Sequence, residues 1–223
     1  MTLDIKICGL RTQETIDTAL TNGANHIGFV FFSKSSRNIS LPLAASMRDD
    51  VGSHARVVAV TPNADNMRLD EIVYQVKPDL LQLHGAETPR RVAEIKHRYK
   101  LPVMKSIAIH NRSDLQNIMP YRSIADRILF DAKAPKCAAL SGGNGISFDW
   151  YVLDALDEGM DYMLSGGLRA ENVVEALAAT RTRGIDVSSG VGTESGVKDV
   201  HRIKAFLETV LNAYNDKAKQ DGI

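Results

Sequence analysis

One unit recurs eight times along this chain and leaves few folds open: a short β-rich run, a cluster of turn residues, then an amphipathic helical pattern. The strands are expected near DIKICGL (4–10), HIGFVFF (26–32), RVVAVTP (56–62), LLQLHG (80–85), PVMKSIAI (102–109), RILFDA (127–132), YMLSGGL (162–168) and GIDVSSGV (184–191). Between them, TQETIDTALTNG, TPRRVAEIKHRYK and AENVVEALAATR repeat apolar residues at three- and four-residue spacing. Thr12 and Thr88 stand at N-cap positions and Gly23 at a C-cap position. The segment around Arg112 to Met119 is the weakest helical pattern. The last helix is expected from about Val197 to Tyr214, followed by a polar tail over 215–223.

Eight such units in 223 residues predict a single α/β domain over 1–223, a closed (β/α)8 TIM barrel. An open doubly wound sheet is the competing arrangement; the even count and regular spacing, without a longer mid-chain crossover, favour closure. The chain carries 27 Lys and Arg against 27 Asp and Glu, so no global field points to nucleic acid or to an anionic membrane surface. No apolar run approaches the ~20 residues of a membrane span, and the start lacks the pattern of a secretory signal. Two distant cysteines, Cys8 and Cys137, make neither a disulfide framework nor a metal-ligand spacing. A reduced, cytoplasmic protein is expected, with no metal.

In a barrel, the site is built where strands end and the following loops begin. Cys8 ends strand one in KICGL, His84 ends strand four and Asp131 ends strand six, while Arg37 lies in the loop after strand two. Glycines gather at the same face: Gly142, Gly143 and Gly145 after strand six, Gly166 and Gly167 after strand seven, and Ser188-Ser189-Gly190 after strand eight. Backbone N–H groups aimed at one phosphate need this close approach, and barrels often build that site after strands seven and eight, with a short helix N-terminus. A phosphorylated small molecule is the expected ligand.

Each side chain also has a plainer reading. Cys8 fits a buried structural thiol as well as a catalytic thiolate. Arg37 is either a solvated loop charge or a bidentate grip on a carboxylate. His84 reads equally as a satisfied histidine. Asp131 at the mouth can act as an acid if partly buried; Cys137 is incidental. Lys6 shares strand parity with Cys8, and Asp186 with Ser188, so in a closed barrel these charges are expected to meet inside, beneath the thiol.

The motifs KICGL (6–10), GFVFFSKSSRNIS (28–40), LQLHG (81–85), LFDA (129–132), GGNGISFDW (142–150), LSGGL (164–168) and DVSSGV (186–191) resemble, in order and over nearly the whole chain, the phosphoribosylanthranilate isomerase family of tryptophan biosynthesis. The resemblance implies a cofactor-free Amadori rearrangement of N-(5-phosphoribosyl)anthranilate to 1-(2-carboxyphenylamino)-1-deoxyribulose 5-phosphate. It implies Cys8 as general base, Asp131 as general acid and Arg37 on the anthranilate carboxylate. Gly166, Gly167, Ser188, Ser189 and Gly190 match the phosphate-binding loops, Gly143 and Gly145 the motif that helps close the site, and His84 and Asp186 polar residues of the pocket.

The chain departs from the family pattern at Thr61, where phenylalanine is usual and the pocket wall is therefore expected to be less apolar. It departs also at Ile146, where a lysine or arginine is common, and at Gly192, often glutamate. None removes an acid, base or anion-binding group. The rival barrel enzyme is indole-3-glycerol phosphate synthase, which calls for a catalytic lysine and glutamates on inner strand ends; Lys105 resembles that lysine, but no matching glutamate accompanies it. Histidine-pathway isomerisation would call for paired aspartates. A binding protein that keeps the phosphate site without chemistry is the alternative of a different class. Monomer and homodimer are both compatible with the outer helices.

Overall fold

The computed structural model describes residues 3–132, 147–193 and 196–220, with only the backbone over 217–220. Eight parallel strands close into one barrel, each paired to the next and the last to the first: β1 (Asp4–Cys8), β2 (His26–Val30), β3 (Arg56–Thr61), β4 (Leu80–Leu83), β5 (Val103–Ile109), β6 (Arg127–Ala132), β7 (Tyr162–Leu164) and β8 (Gly184–Val187). The closed barrel, not the open sheet, is the fold. Each strand is followed by a helical element: α1 (Gln13–Thr21), α2 (Leu41–Val51), α3 (Asn66–Val76), α4 (Pro89–Tyr99), 3₁₀ turns at Arg112–Ile118 and Trp150–Ala155, α5 (Val173–Ala178) and α6 (Val200–Gln220).

Strand alternation sorts the residues into two cores. Outward-facing Ile5, Ile7, Ile27, Phe29, Val57, Leu81, Phe130 and Ile185 pack against the helices, meeting Ile16, Leu69, Ile72, Val92, Ile95, Ile203 and Phe206. The intervening residues form a smaller cluster inside the barrel: Cys8, Val30, Val58, Val60, Leu80, Met104, Leu129 and Met163. Lys6 and Gln82 are also fully buried, and Asp186 nearly so. Thr12 and Thr88 cap α1 and α4 through their side chains. Gly23 closes α1 one position beyond the capping Asn22, its N–H returning to the Leu20 carbonyl.

The weak pattern after β5 is a 3₁₀ turn, fixed by a capping box in which Asn111 and Asp114 bond each other's backbone. The last helix starts later than its pattern predicts. Lys198 pairs in antiparallel fashion with Gly192, and Asp199 accepts from His201 and Arg202 N–H to open α6 at Val200. Its far end runs to Gln220, past the expected start of the tail at 215.

Candidate active site

Cys8 leaves β1 opposite Gly28, its register partner on β2. That glycine makes room: a Cβ there would lie 3.0 Å from Lys6 Nζ and 3.1 Å from Cys8 Sγ. Beneath the thiol, Lys6 and Asp186 are register partners on β1 and β8, and Lys6 Nζ donates to Asp186 Oδ1 at 2.9 Å inside the barrel. Burial opposes the Lys6 ammonium, but Asp186 and Cys8 together outweigh it, and Lys6 is held above the ordinary lysine range. The other Asp186 oxygen accepts from Ser165 Oγ at 3.2 Å.

Across the mouth, Asp131 ends β6 almost buried. Its Oδ1 accepts from the Ala132 N–H at 2.9 Å, and its Oδ2 lies 3.2 Å from His84 Nε2. His84 Nδ1 in turn lies 2.9 Å from Nε2 of the buried Gln82. This chain fixes the carboxyl against the pocket wall and gives His84 a positioning contact. Gln82 escaped sequence reasoning, although its parity with His84 in LQLHG was the available signal.

The loops complete the pocket. Arg37 donates to Ser188 Oγ at 2.7 Å, and Ser188 Oγ donates to the Cys8 carbonyl at 3.1 Å. Gly166 and Gly167 both adopt positive φ, +91° and +63°. A Cβ on Gly166 would fall 2.5 Å from the Ala132 nitrogen, so the loop after β7 can lie against β6 only as glycine. Cys8, Arg37, His84, Asp131, Gly166, Gly167, Asp186, Ser188 and Ser189 line one pocket, with Val30, Phe32, Val60 and Pro62 as apolar wall. Gly190 sits at the seam between the last two loops, where a Cβ would come within 1.9 Å of the Leu168 carbonyl oxygen. Gly143, Gly145, Ile146 and Cys137 lie outside the described residues.

Two expectations need correction. Thr61 is fully buried but does not line the pocket: Val58 and Val60 take the inward positions of β3, so Thr61 faces the helices, and Val60 and Pro62 form that wall. Lys105 does have a glutamate, Glu87, 3.0 Å away, but both are buried outside the pocket. Lys105 also donates to the carbonyls of Leu83, Gly85 and Ser106, so this pair braces β4 and β5.

Lys198, which the sequence pattern assigns to the last helix, reaches the site instead. Its Nζ donates to the Ser188 carbonyl at 2.6 Å and meets Ser188 Oγ at 3.2 Å. Burial pushes this ammonium down to about 7. No described helix is long and apolar enough to cross a membrane.

A closed eight-stranded α/β barrel with a thiol and a carboxyl facing one glycine-walled mouth has the plan of a TIM-barrel enzyme. The family model for N-(5'phosphoribosyl)anthranilate (PRA) isomerase matches residues 5–209, and the chain belongs to that family. It is 57% identical over 213 residues to the N-(5'-phosphoribosyl)anthranilate isomerases of Brucella canis and Brucella abortus, covering 96% of each chain. Among solved structures, phosphoribosyl anthranilate isomerase from Thermotoga maritima superposes with a TM-score of 0.84 at 32% identity, over 95% of this chain and 100% of that one. A second isomerase structure, in complex with reduced 1-(o-carboxyphenylamino)-1-deoxyribulose 5-phosphate, gives 0.80 at 29% identity, over 95% and 100% of the two chains.

Proposed function

We propose that the chain catalyses the Amadori rearrangement of N-(5-phosphoribosyl)anthranilate, with Cys8 as base and Asp131 as acid. The observation that carries this reading is the meeting of Cys8, Asp131 and Arg37 in one pocket with the glycine and serine loops of β7 and β8. Asp131 gives a proton to the furanose ring oxygen, the C1–O bond breaks, and the anilino nitrogen supplies the electrons to form an iminium. The iminium acidifies the neighbouring C2–H. Cys8 thiolate removes that proton, and the enolamine tautomerises to the ketone. Acid and base each contribute about 10²–10⁴-fold in such steps.

Arg37 holds the anthranilate carboxylate, and the backbone of Gly166, Gly167 and Ser189 receives the phosphate. The chain needs no cofactor in this scheme. It acts in the cytoplasm on a small phosphorylated substrate, as a monomer or homodimer. Loss of substrate fluorescence on mixing with purified protein is the expected result. Turnover of the product to indole-3-glycerol phosphate would support the rival barrel chemistry, and tight substrate binding without turnover would make the chain a sensor.

A further inference from the structure

Gln82 is a fully buried amide inside the barrel. Its register partners are Val60 on β3 and Met104 on β5, both members of the apolar inner cluster. A leucine or methionine would fill that place without desolvating an amide. Gln82 Oε1 has no hydrogen-bond partner among the described residues, while Nε2 lies 2.9 Å from His84 Nδ1. What this amide does in the interior is hold His84.

The backbone around that histidine is pinned as well. His84 N–H donates to the Thr61 carbonyl at 3.0 Å, Lys105 Nζ donates to the carbonyls of Leu83 and Gly85, and Glu87 accepts from the Gly85 N–H. One chemical variable is left to the ring: which nitrogen carries its hydrogen. An amide nitrogen only donates, so Nδ1 accepts and the hydrogen of the neutral imidazole sits on Nε2. Nε2 faces Asp131 Oδ2 at 3.2 Å, and Oδ1 accepts from the Ala132 N–H, so both carboxyl oxygens meet donors. The opposite tautomer would turn a lone pair toward Oδ2. A protonated Asp131 would then point its hydrogen at His84 instead of into the pocket.

We propose that Gln82 is a positioning residue for the reaction's acid: by donating to Nδ1 it holds His84 as the Nε2–H tautomer, which leaves the Asp131 proton to the substrate. This deepens, and rests on, the reading of Asp131 as acid. Asp131 loses its proton to the ring oxygen as the C1–O bond breaks, and His84 keeps its own. The carboxylate so formed is met by two donors already in place, Ala132 N–H and His84 Nε2–H. Nitrogen NMR of protein labelled with ¹⁵N-histidine reads the tautomer at pH 8, with His84 assigned by its loss in His84→Asn. Spectra and steady-state kinetics are compared for wild type, Gln82→Met, Asp131→Asn and the Gln82→Met/Asp131→Asn double variant, where the new amide stands in for a protonated carboxyl. The hydrogen is expected on Nε2 in wild type and in Asp131→Asn, and on Nδ1 in a substantial fraction of the double variant. Gln82→Met is expected to lower kcat about tenfold and to change KM less than about twofold.

A hydrogen on Nδ1 in wild type overturns the proposal, as does an unmoved tautomer in the double variant or an unchanged kcat in Gln82→Met. The two failures are separate. An unmoved tautomer removes Gln82 from this role with Asp131 still the acid, whereas wild-type turnover in Asp131→Asn overturns the acid reading and the proposal with it. If Gln82→Met does not fold, Gln82→Leu makes the same comparison, and the wild-type spectrum needs neither variant.

Discussion

Lys6 and Asp186 meet 2.9 Å apart inside the barrel, with the floor of the pocket above them and Cys8 one inward position up the same strand. Both are nearly inaccessible to water. Removing one partner strands the other charge in the interior, whereas removing both leaves a nearly apolar layer. Lys6→Met and Asp186→Asn are each expected to lose about 3–5 kcal/mol of unfolding free energy in urea titrations, and the double variant to lose much less. Turnover is expected to fall in Lys6→Met and in the double variant, where the cation beneath the thiol is gone.

In the proposed reaction Gly166 seats the phosphate. Its φ of +91° and the 2.5 Å approach to the Ala132 nitrogen exclude a side chain. Gly166→Ala is expected to raise KM at least ~10-fold with a smaller change in kcat, since ground-state and transition-state binding of a remote phosphate fall together. Steady-state kinetics, with inorganic phosphate as a competing ligand, checks this.

His26, at the base of β2, supplies the pH dependence of stability. Burial, aided by Arg127, Arg56 and Lys6 against the pull of Asp4, lowers it to about 4. Its Nδ1 lies 2.8 Å from Asn25 Oδ1, which accepts from the neutral ring. The folded value lies below the ordinary 6.5. As pH falls from 6.5 to 4, the unfolded chain therefore takes up a proton that the fold refuses. Stability is complete above pH 6.5, falls through that window and levels below it. Denaturant titrations at pH 7 and pH 4.5 are expected to differ by on the order of 3 kcal/mol more in wild type than in His26→Gln.

Thr61 carries a hydroxyl that is fully buried with no hydrogen-bond partner among the described residues. Thr61→Val keeps the shape and removes an unmet polar group, so it is expected to raise stability by about 1 kcal/mol in the same titrations, with turnover unchanged.

The barrel and most of its mouth were legible in the sequence because strand parity is a local rule. It put Lys6 and Asp186 on the same inner face and Cys8 above them, and the ends of strands gave Asp131 and His84. Where parity was not applied, the reading slipped: Gln82 shares the face of His84, and Thr61 lies on the opposite face from Val60. Lys198 was missed for another reason. In GVKD it continues a helical pattern, and only the pairing with Gly192, six residues upstream, turns it back toward Ser188. Glu87 and Lys105 likewise meet through tertiary packing that no spacing in the chain announces.

The central claim is that Cys8 and Asp131 divide proton transfer between them. The most direct measurement is consumption of N-(5-phosphoribosyl)anthranilate, followed by fluorescence, for wild type, Cys8→Ser and Asp131→Asn, with circular dichroism and ligand binding run beside it. Both variants are predicted to fold and to bind, and to turn over at least ~100-fold more slowly than wild type. Wild-type turnover in either folded variant would contradict the account.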